Sequence, residues 1–140
     1  MANDLAEINE IENQSFGLEA FSVWQFIYLS KSPTCQFMVA AVGKKIGGYI
    51  ILTTRKNSKT LRIYSLATSI NFRGQGIGKM LLKYAINFAK QKGFTSISLE
   101  VSETNLPAIR LYEDACFASV GTKKDYYGLG KHAHAMRLKL

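Results

Sequence analysis

The chain has 140 residues and is 47% hydrophobic, which fits a single soluble domain over 1–140 with room for a real core. No apolar run approaches the roughly 18–20 residues of a membrane span, no basic-then-apolar leader opens the chain, and Cys35 and Cys116 have no metal-type spacing. The expectation is a cytoplasmic protein with free thiols, no metal, and neither DNA nor a membrane as partner. The net charge of +8 is uneven: five of the ten acids fall within residues 1–30, where no Lys or Arg occurs, and none lies between Glu19 and Glu100. Such a surface favours anionic ligands, whether a phosphate-bearing cofactor, RNA or a ribosomal surface, and charge alone does not separate these from a merely solvated basic face.

Leu5, Ile8 and Ile11 at helical spacing predict an amphipathic first helix capped by Asn3 or Asp4 and broken at Phe16-Gly17. A second helix is expected over Phe21–Ser30, with Val23, Phe26 and Ile27 on one face, followed by a loop at Ser32-Pro33-Thr34. Strands are expected over Phe37–Val42 and Ile46–Thr53, joined by a turn at Gly43-Lys44-Lys45, with a bulge at Gly47-Gly48. After a turn at 55–59 comes a strand over Leu61–Ser69. A helix over Ile77–Lys92 follows, its apolar stripe Ile77, Leu81, Ala85, Phe88 and Ala89, ended by Gly93. A strand over Thr95–Val101 turns Ile97, Leu99 and Val101 to one face and Glu100 to the other. A short helix, Leu106–Ala115, takes Asn105 or Thr104 as cap and Pro107 in its first turn. Phe117–Gly121 and His134–Leu140 close the chain as strands. The order ααβββαβαββ predicts an α/β or α+β domain around one mixed, mostly antiparallel sheet flanked by helices.

The segment Arg73-Gly74-Gln75-Gly76-Ile77-Gly78-Lys79 joins a predicted strand to a predicted helix. Glycines there let backbone N–H groups turn inward, and a helix start adds unpaired donors and the positive end of the dipole. That is a seat for a phosphate or diphosphate. It is not a Walker A loop, because Gly74 and Gly78 are three residues apart and Met80 follows Lys79. Nor is it a dinucleotide fingerprint, since Lys79 stands where the third glycine belongs.

Arg-x-x-Gly-x-Gly after an antiparallel meander resembles the acetyl-CoA loop of the GNAT superfamily of N-acetyltransferases. Three further segments match in order: Ser98-Leu99-Glu100-Val101, Asn105-Leu106-Pro107-Ala108-Ile109 and Leu111-Tyr112-Glu113-Asp114-Ala115-Cys116-Phe117. Residues 66–117 carry the specific part. Leu99-Glu100-Val101 and the pair Tyr126-Tyr127 are most similar to the RimI type, the ribosomal-protein-alanine N-acetyltransferases. Cys116 departs from the family's usual Gly, and the tail around His132 and His134 lacks an acid that relatives often carry.

The resemblance implies acetyl-CoA as cofactor, its acetyl group passed directly to a bound amine: a protein or peptide N-terminus, such as that of a ribosomal protein, or alternatively a small amine or lysine side chain. A non-catalytic RNA- or ribosome-binding module is the remaining reading. Amine attack needs a base, since an α-amine with a pKa near ~8 is largely protonated at neutral pH. Glu100 is the candidate, acting directly or through water, unless it only neutralises a nearby Lys or Arg. Tyr112 is the candidate acid for the leaving thiolate, unless it is a core tyrosine. By the same likeness Leu66, Ala67 and Thr68 offer backbone to the pantetheine arm. The amides of Gly74, Gln75, Gly76, Ile77, Gly78 and Lys79 seat the diphosphate, with Arg73, Lys79 and Lys83 adding charge. Asn105 meets the cofactor, and Tyr126 and Tyr127 line the acceptor slot or the core. His132 and His134 at i, i+2 are expected to share a strand face as ordinary surface residues.

Overall fold

The computed structural model of the chain describes residues 7, 8, 10, 11 and 34–140. Among the described residues six strands form one sheet: β1 (Cys35–Val42), β2 (Lys45–Thr53), β3 (Thr60–Thr68), β4 (Ser96–Ser102), β5 (Ala118–Lys123) and β6 (Ala133–Lys139). Their spatial order is β1-β2-β3-β4-β6-β5, and only β3 and β4 run parallel. A parallel neighbour requires a crossover, and α1 (Ile77–Gln91) provides it. The helix α2 (Leu106–Asp114) connects β4 to β5.

The strands read as expected to within a residue or two at their ends. Phe117 precedes β5 rather than opening it, and β6 begins at Ala133. The expected bulge is present: Ala40 pairs with Gly48 and Ala41 with Ile46, so Gly47 is the extra residue. It reverses the alternation along β2. Ile46 and Tyr49, three apart, therefore share one face of the sheet.

Two apolar layers cover the two faces. On one, Ile77, Leu81, Leu82, Ala85 and Ala89 of α1 pack on Ile50, Leu52, Leu61, Ile63, Ile97, Leu99 and Val101, joined by Tyr112 of α2. Leu82 belongs to this buried stripe, and Phe88 is only partly buried against it. On the other face Ile8 and Ile11, both helical, pack against Ile46, Tyr49, Ile51 and Ala67. The cap at Asn3 or Asp4, the break at Phe16-Gly17, the helix over Phe21–Ser30 and Ser32-Pro33 lie outside the described residues.

Candidate active site

The parallel pairing of β3 and β4 ends at Ile63–Leu99. Beyond it β3 stays bonded to β2 as far as Thr68–Gly48, and β4 to β6 as far as Ser102–Ala133. The two strands thus part while each keeps its outer neighbour. A second bulge sits at the parting point: Ile51 pairs with Ser65 and Leu52 with Ile63, leaving Tyr64 unmatched in the β2–β3 ladder. A bulge bends and twists its strand, which is what the divergence requires. The gap is a cleft of about 1170 Å³, bordered by Leu66, Ala67 and Thr68 on one side and by Glu100 on the other.

One end of the cleft is the glycine loop. Gly74 and Gly76 have φ of 81° and 78°, with open space where a Cβ would stand, so conformation rather than crowding calls for glycine. The first helical hydrogen bond of α1 runs from Met80 N–H to Gly76 C=O at 3.0 Å. The amides of Ile77, Gly78 and Lys79 precede it and have no intrahelical acceptor. Among the described residues no side chain caps this helix, and no acid lies in its first turn. Arg73 donates its Nε to Thr68 C=O at 3.4 Å, beside the loop. Arg73, Gly74, Gly76, Ile77, Gly78 and Lys79 all line the cleft, whereas Gln75 does not. The loop is placed by small residues elsewhere: a Cβ on Gly47 would lie 2.7 Å from Ile77 Cδ1, and one on Gly48 would lie 2.8 Å from the Ala67 carbonyl oxygen. A Cβ on Gly48 would also lie 2.9 Å from Ile77 Cγ2, so these glycines let Ile77 at the start of α1 pack close against β2.

At the other end Glu100 is gripped twice. Arg62 reaches Oε2 with Nε at 3.2 Å and Nη2 at 2.9 Å, and Lys123 Nζ reaches Oε1 at 2.5 Å. Burial alone would raise the Glu100 carboxyl, but the Lys123 hydrogen bond and the Arg62 charge outweigh it and hold the group below its ordinary value. Arg62 Nη2 also donates to the Tyr126 hydroxyl at 2.8 Å, and the Tyr127 hydroxyl donates to the Glu100 carbonyl at 3.3 Å. Tyr126 and Tyr127 meet edge to face, 4.9 Å between centroids, and both line the cleft rather than the core. Their loop is held by His132, whose Nδ1 accepts the Asp125 N–H at 2.9 Å. His132 therefore lies in the loop before β6 and does not share a strand face with His134.

Between the ends lie Asn105 and Tyr112. Asn105 caps α2, its Oδ1 accepting Ala108 N–H at 3.3 Å, and it lines the cleft with the amide nitrogen as its remaining side-chain donor. Tyr112 is buried, and among the described residues its hydroxyl has no hydrogen-bond partner. Burial, with a smaller contribution from Tyr127, pushes that phenol far above its ordinary value, so it stays protonated. Its position is fixed by the end of α2. Phe117 N–H bonds Tyr112 C=O at 3.0 Å and Cys116 N–H bonds Glu113 C=O at 2.9 Å, and the Tyr112 and Phe117 rings pack at 5.7 Å. This is a Schellman closure with its usual hydrophobic contact. Cys116 takes the left-handed position with φ 74°, which explains why glycine is the fitting residue there.

Among the described residues no three His, Cys, Asp or Glu side chains gather as a metal site. Cys35 stands outside the cleft, its thiol pushed up by burial to about 11.

A family model described as "Acetyltransferase (GNAT) family" matches residues 5–116. The chain belongs to the GNAT acetyltransferases. It is 27% identical over 124 residues to a putative [ribosomal protein bS18]-alanine N-acetyltransferase of Bacillus subtilis (strain 168), covering 89% of this chain and 81% of that protein. Other curated relatives are longer, and the chain spans 35% to 56% of the length of three of them. Its fold matches the ribosomal-protein-S18-alanine N-acetyltransferase of Escherichia coli with a TM-score of 0.86 at 22% identity, over 99% of this chain and 89% of that one. It also matches the NatC complex bound to Gag peptide and CoA with a TM-score of 0.80 at 24% identity, over 97% and 90%.

In this GNAT chain Arg62 and Lys123 are the site residues that sequence reasoning missed. Arg62 had a weak signal, since it lies on the strand that leads into Leu66–Thr68. Lys123 had none, because 23 residues separate it from Glu100.

Proposed function

We propose that this protein transfers the acetyl group of acetyl-CoA to the α-amine of a protein or peptide N-terminus, as an enzyme of the ribosomal-protein-alanine type. One observation carries the reading. A single cleft joins open helix-start amides to a carboxylate and a protonated phenol. When bound, acetyl-CoA supplies the activated acyl group as a thioester. The amides of Gly74, Gly76, Ile77, Gly78 and Lys79, with the charges of Arg73 and Lys79, seat its diphosphate. The edge of β3 at Leu66, Ala67 and Thr68, freed where β4 departs, offers backbone groups to the pantetheine arm. Asn105 adds its amide nitrogen. Glu100 takes the acceptor's proton through water, and Tyr112 hydrogen-bonds and protonates the departing sulfur. Tyr126 and Tyr127 flank the acceptor. The transfer is direct: Cys35, with its raised thiol, stands apart from the cleft. Cys35 and Cys116 as free thiols agree with a reducing, cytoplasmic setting.

CoA release measured against peptides beginning with Ala or Ser, lysine peptides and polyamines tests this. The expected result is turnover of the α-amine peptides. Turnover confined to lysine side chains or polyamines would overturn the acceptor, and failure to bind acetyl-CoA would overturn the whole reading.

A further inference from the structure

At the acceptor end one carboxylate is shared by two cations. Glu100 holds Arg62 on one oxygen and Lys123 on the other, and it is the only acid among the described residues lining the cleft. Asp125, on the adjoining loop, has its carboxylate on Gly130 N–H at 2.7 Å. Among Arg62, Lys123 and Glu100 one positive charge is in surplus. The two cations are held differently. Arg62 is fixed by three hydrogen bonds through Nε and Nη2, and its Nη1 has no partner among the described residues. Among the described residues Lys123 makes one hydrogen bond; it is 51% exposed and lies over the Tyr126 ring at 5.5 Å.

An amine brought to Glu100 competes with the Lys123 ammonium for the same carboxylate. If it wins, Lys123 loses its counter-ion. An acceptor carrying its own carboxylate beside the amine gives Lys123 and Arg62 Nη1 a replacement, and the charges then alternate in sign across the site. An acceptor with a second cation would instead set like charges together. We infer that the acceptor bears a carboxylate next to its reacting amine, recognised by Lys123 with Arg62. That carboxylate belongs either to an acidic residue following the N-terminus or to a small amino acid. The inference rests on the proposed acetyl transfer at this cleft and names the acceptor's chemistry within it.

The test compares kcat/KM for peptides beginning Ala-Asp, Ala-Ala and Ala-Lys on one neutral sequence, with free aspartate and spermidine alongside. The Ala-Asp peptide should exceed Ala-Lys by about tenfold, the combined effect of one gained and one avoided charge contact. The gap should narrow at about 0.5 M salt. Lys123→Met should bring the two peptides to within about twofold while leaving acetyl-CoA affinity unchanged, and Lys123→Arg should restore the preference. Turnover of aspartate but of no peptide would assign the carboxylate to a small acceptor. A preference for Ala-Lys or spermidine, or a ratio untouched by Lys123→Met, would overturn the inference while leaving acetyl transfer standing. Bound acetyl-CoA with no transfer to any acceptor would overturn both.

Discussion

Replacing Cys116 by glycine should stabilise this protein. Cys116 holds the left-handed position of the turn that ends α2, with φ 74°. The equivalent position after α1 is Gly93, φ 82°, with the same pair of bonds: Phe94 N–H to Ala89 C=O at 3.0 Å and Gly93 N–H to Lys90 C=O at 3.2 Å. The two helices thus close alike, one with the fitting residue and one without it. Left-handed backbone costs an L-residue roughly 1–2 kcal/mol, and glycine forfeits about 0.5–1 kcal/mol of this through its freer unfolded chain. The Cys116 side chain is exposed, so little packing is lost. The net gain is about 0.5–1 kcal/mol, a rise in Tm of about 2–3 °C for a chain of this size. The assay is thermal and urea unfolding of Cys116→Gly beside Cys116→Ala, which keeps the Cβ and the strain, and Cys116→Asn, which tolerates the conformation better. The expected order is Gly above Asn above Ala. A glycine variant no more stable than the alanine variant would refute the argument, because the two differ chiefly in the φ penalty.

Gly76→Ala places a Cβ at φ 78° in the proposed diphosphate seat, and acetyl-CoA affinity measured by calorimetry should fall about tenfold or more, the equivalent of 1–2 kcal/mol of backbone strain; unchanged affinity would remove the loop from the cofactor site. Tyr112→Phe should lower kcat roughly 100-fold or more with acetyl-CoA affinity intact, as expected for loss of a general acid; a variant with wild-type kcat would leave Tyr112 as a core residue. Glu100 has its folded-state carboxyl depressed, so it contributes stability that is present above the unfolded value near ~4.3 and lost as pH falls through the folded one. The stability difference between wild type and Glu100→Gln in urea should hold from pH 8 to about pH 6 and shrink below about pH 4; a difference that grew on acidification would contradict the ion pairs.

Much of this fold is written in local signals. Glycine punctuation and apolar period place α1 between Gly76 and Gly93, and the alternation Ile97, Leu99, Val101 puts Glu100 on the opposite face. Gly47-Gly48 marks a real bulge, though its second role, admitting Ile77 close to β2, depends on a helix thirty residues away. What local pattern does not hold is where strands stop pairing. The end of the β3–β4 ladder at Ile63–Leu99 and the bulge at Tyr64 open the cleft, and both are properties of register between distant segments. The ion pairs of Glu100 are hidden for the same reason, since Arg62 is 38 residues before it. The two histidines show the converse error. Spacing i, i+2 promises a shared face only inside a strand, and β6 begins one residue too late to include His132.

A carboxylate held by two cations is a weak base, and that constrains how the proposed transfer runs. An ordinary carboxyl already lies roughly 3.5 units below an α-amine, a gap of about 5 kcal/mol against direct proton transfer from the ammonium. Glu100 lies lower still, because Lys123 and Arg62 favour its charged form. In the proposed transfer its contribution is electrostatic: it would attract the incoming ammonium and orient a water to carry the proton away. Lys123 is the more exposed of the two cations and, in the proposed exchange, the one an acceptor amine would displace. Its departure removes the largest of the effects that depress Glu100, but the arriving ammonium supplies a like charge, so the carboxylate gains basicity only as that ammonium gives up its proton. An acceptor that carries its own carboxylate lowers the cost of that exchange by giving Lys123 a new partner. Acceptor recognition and base strength are then one event, both turning on where a single lysine places its charge.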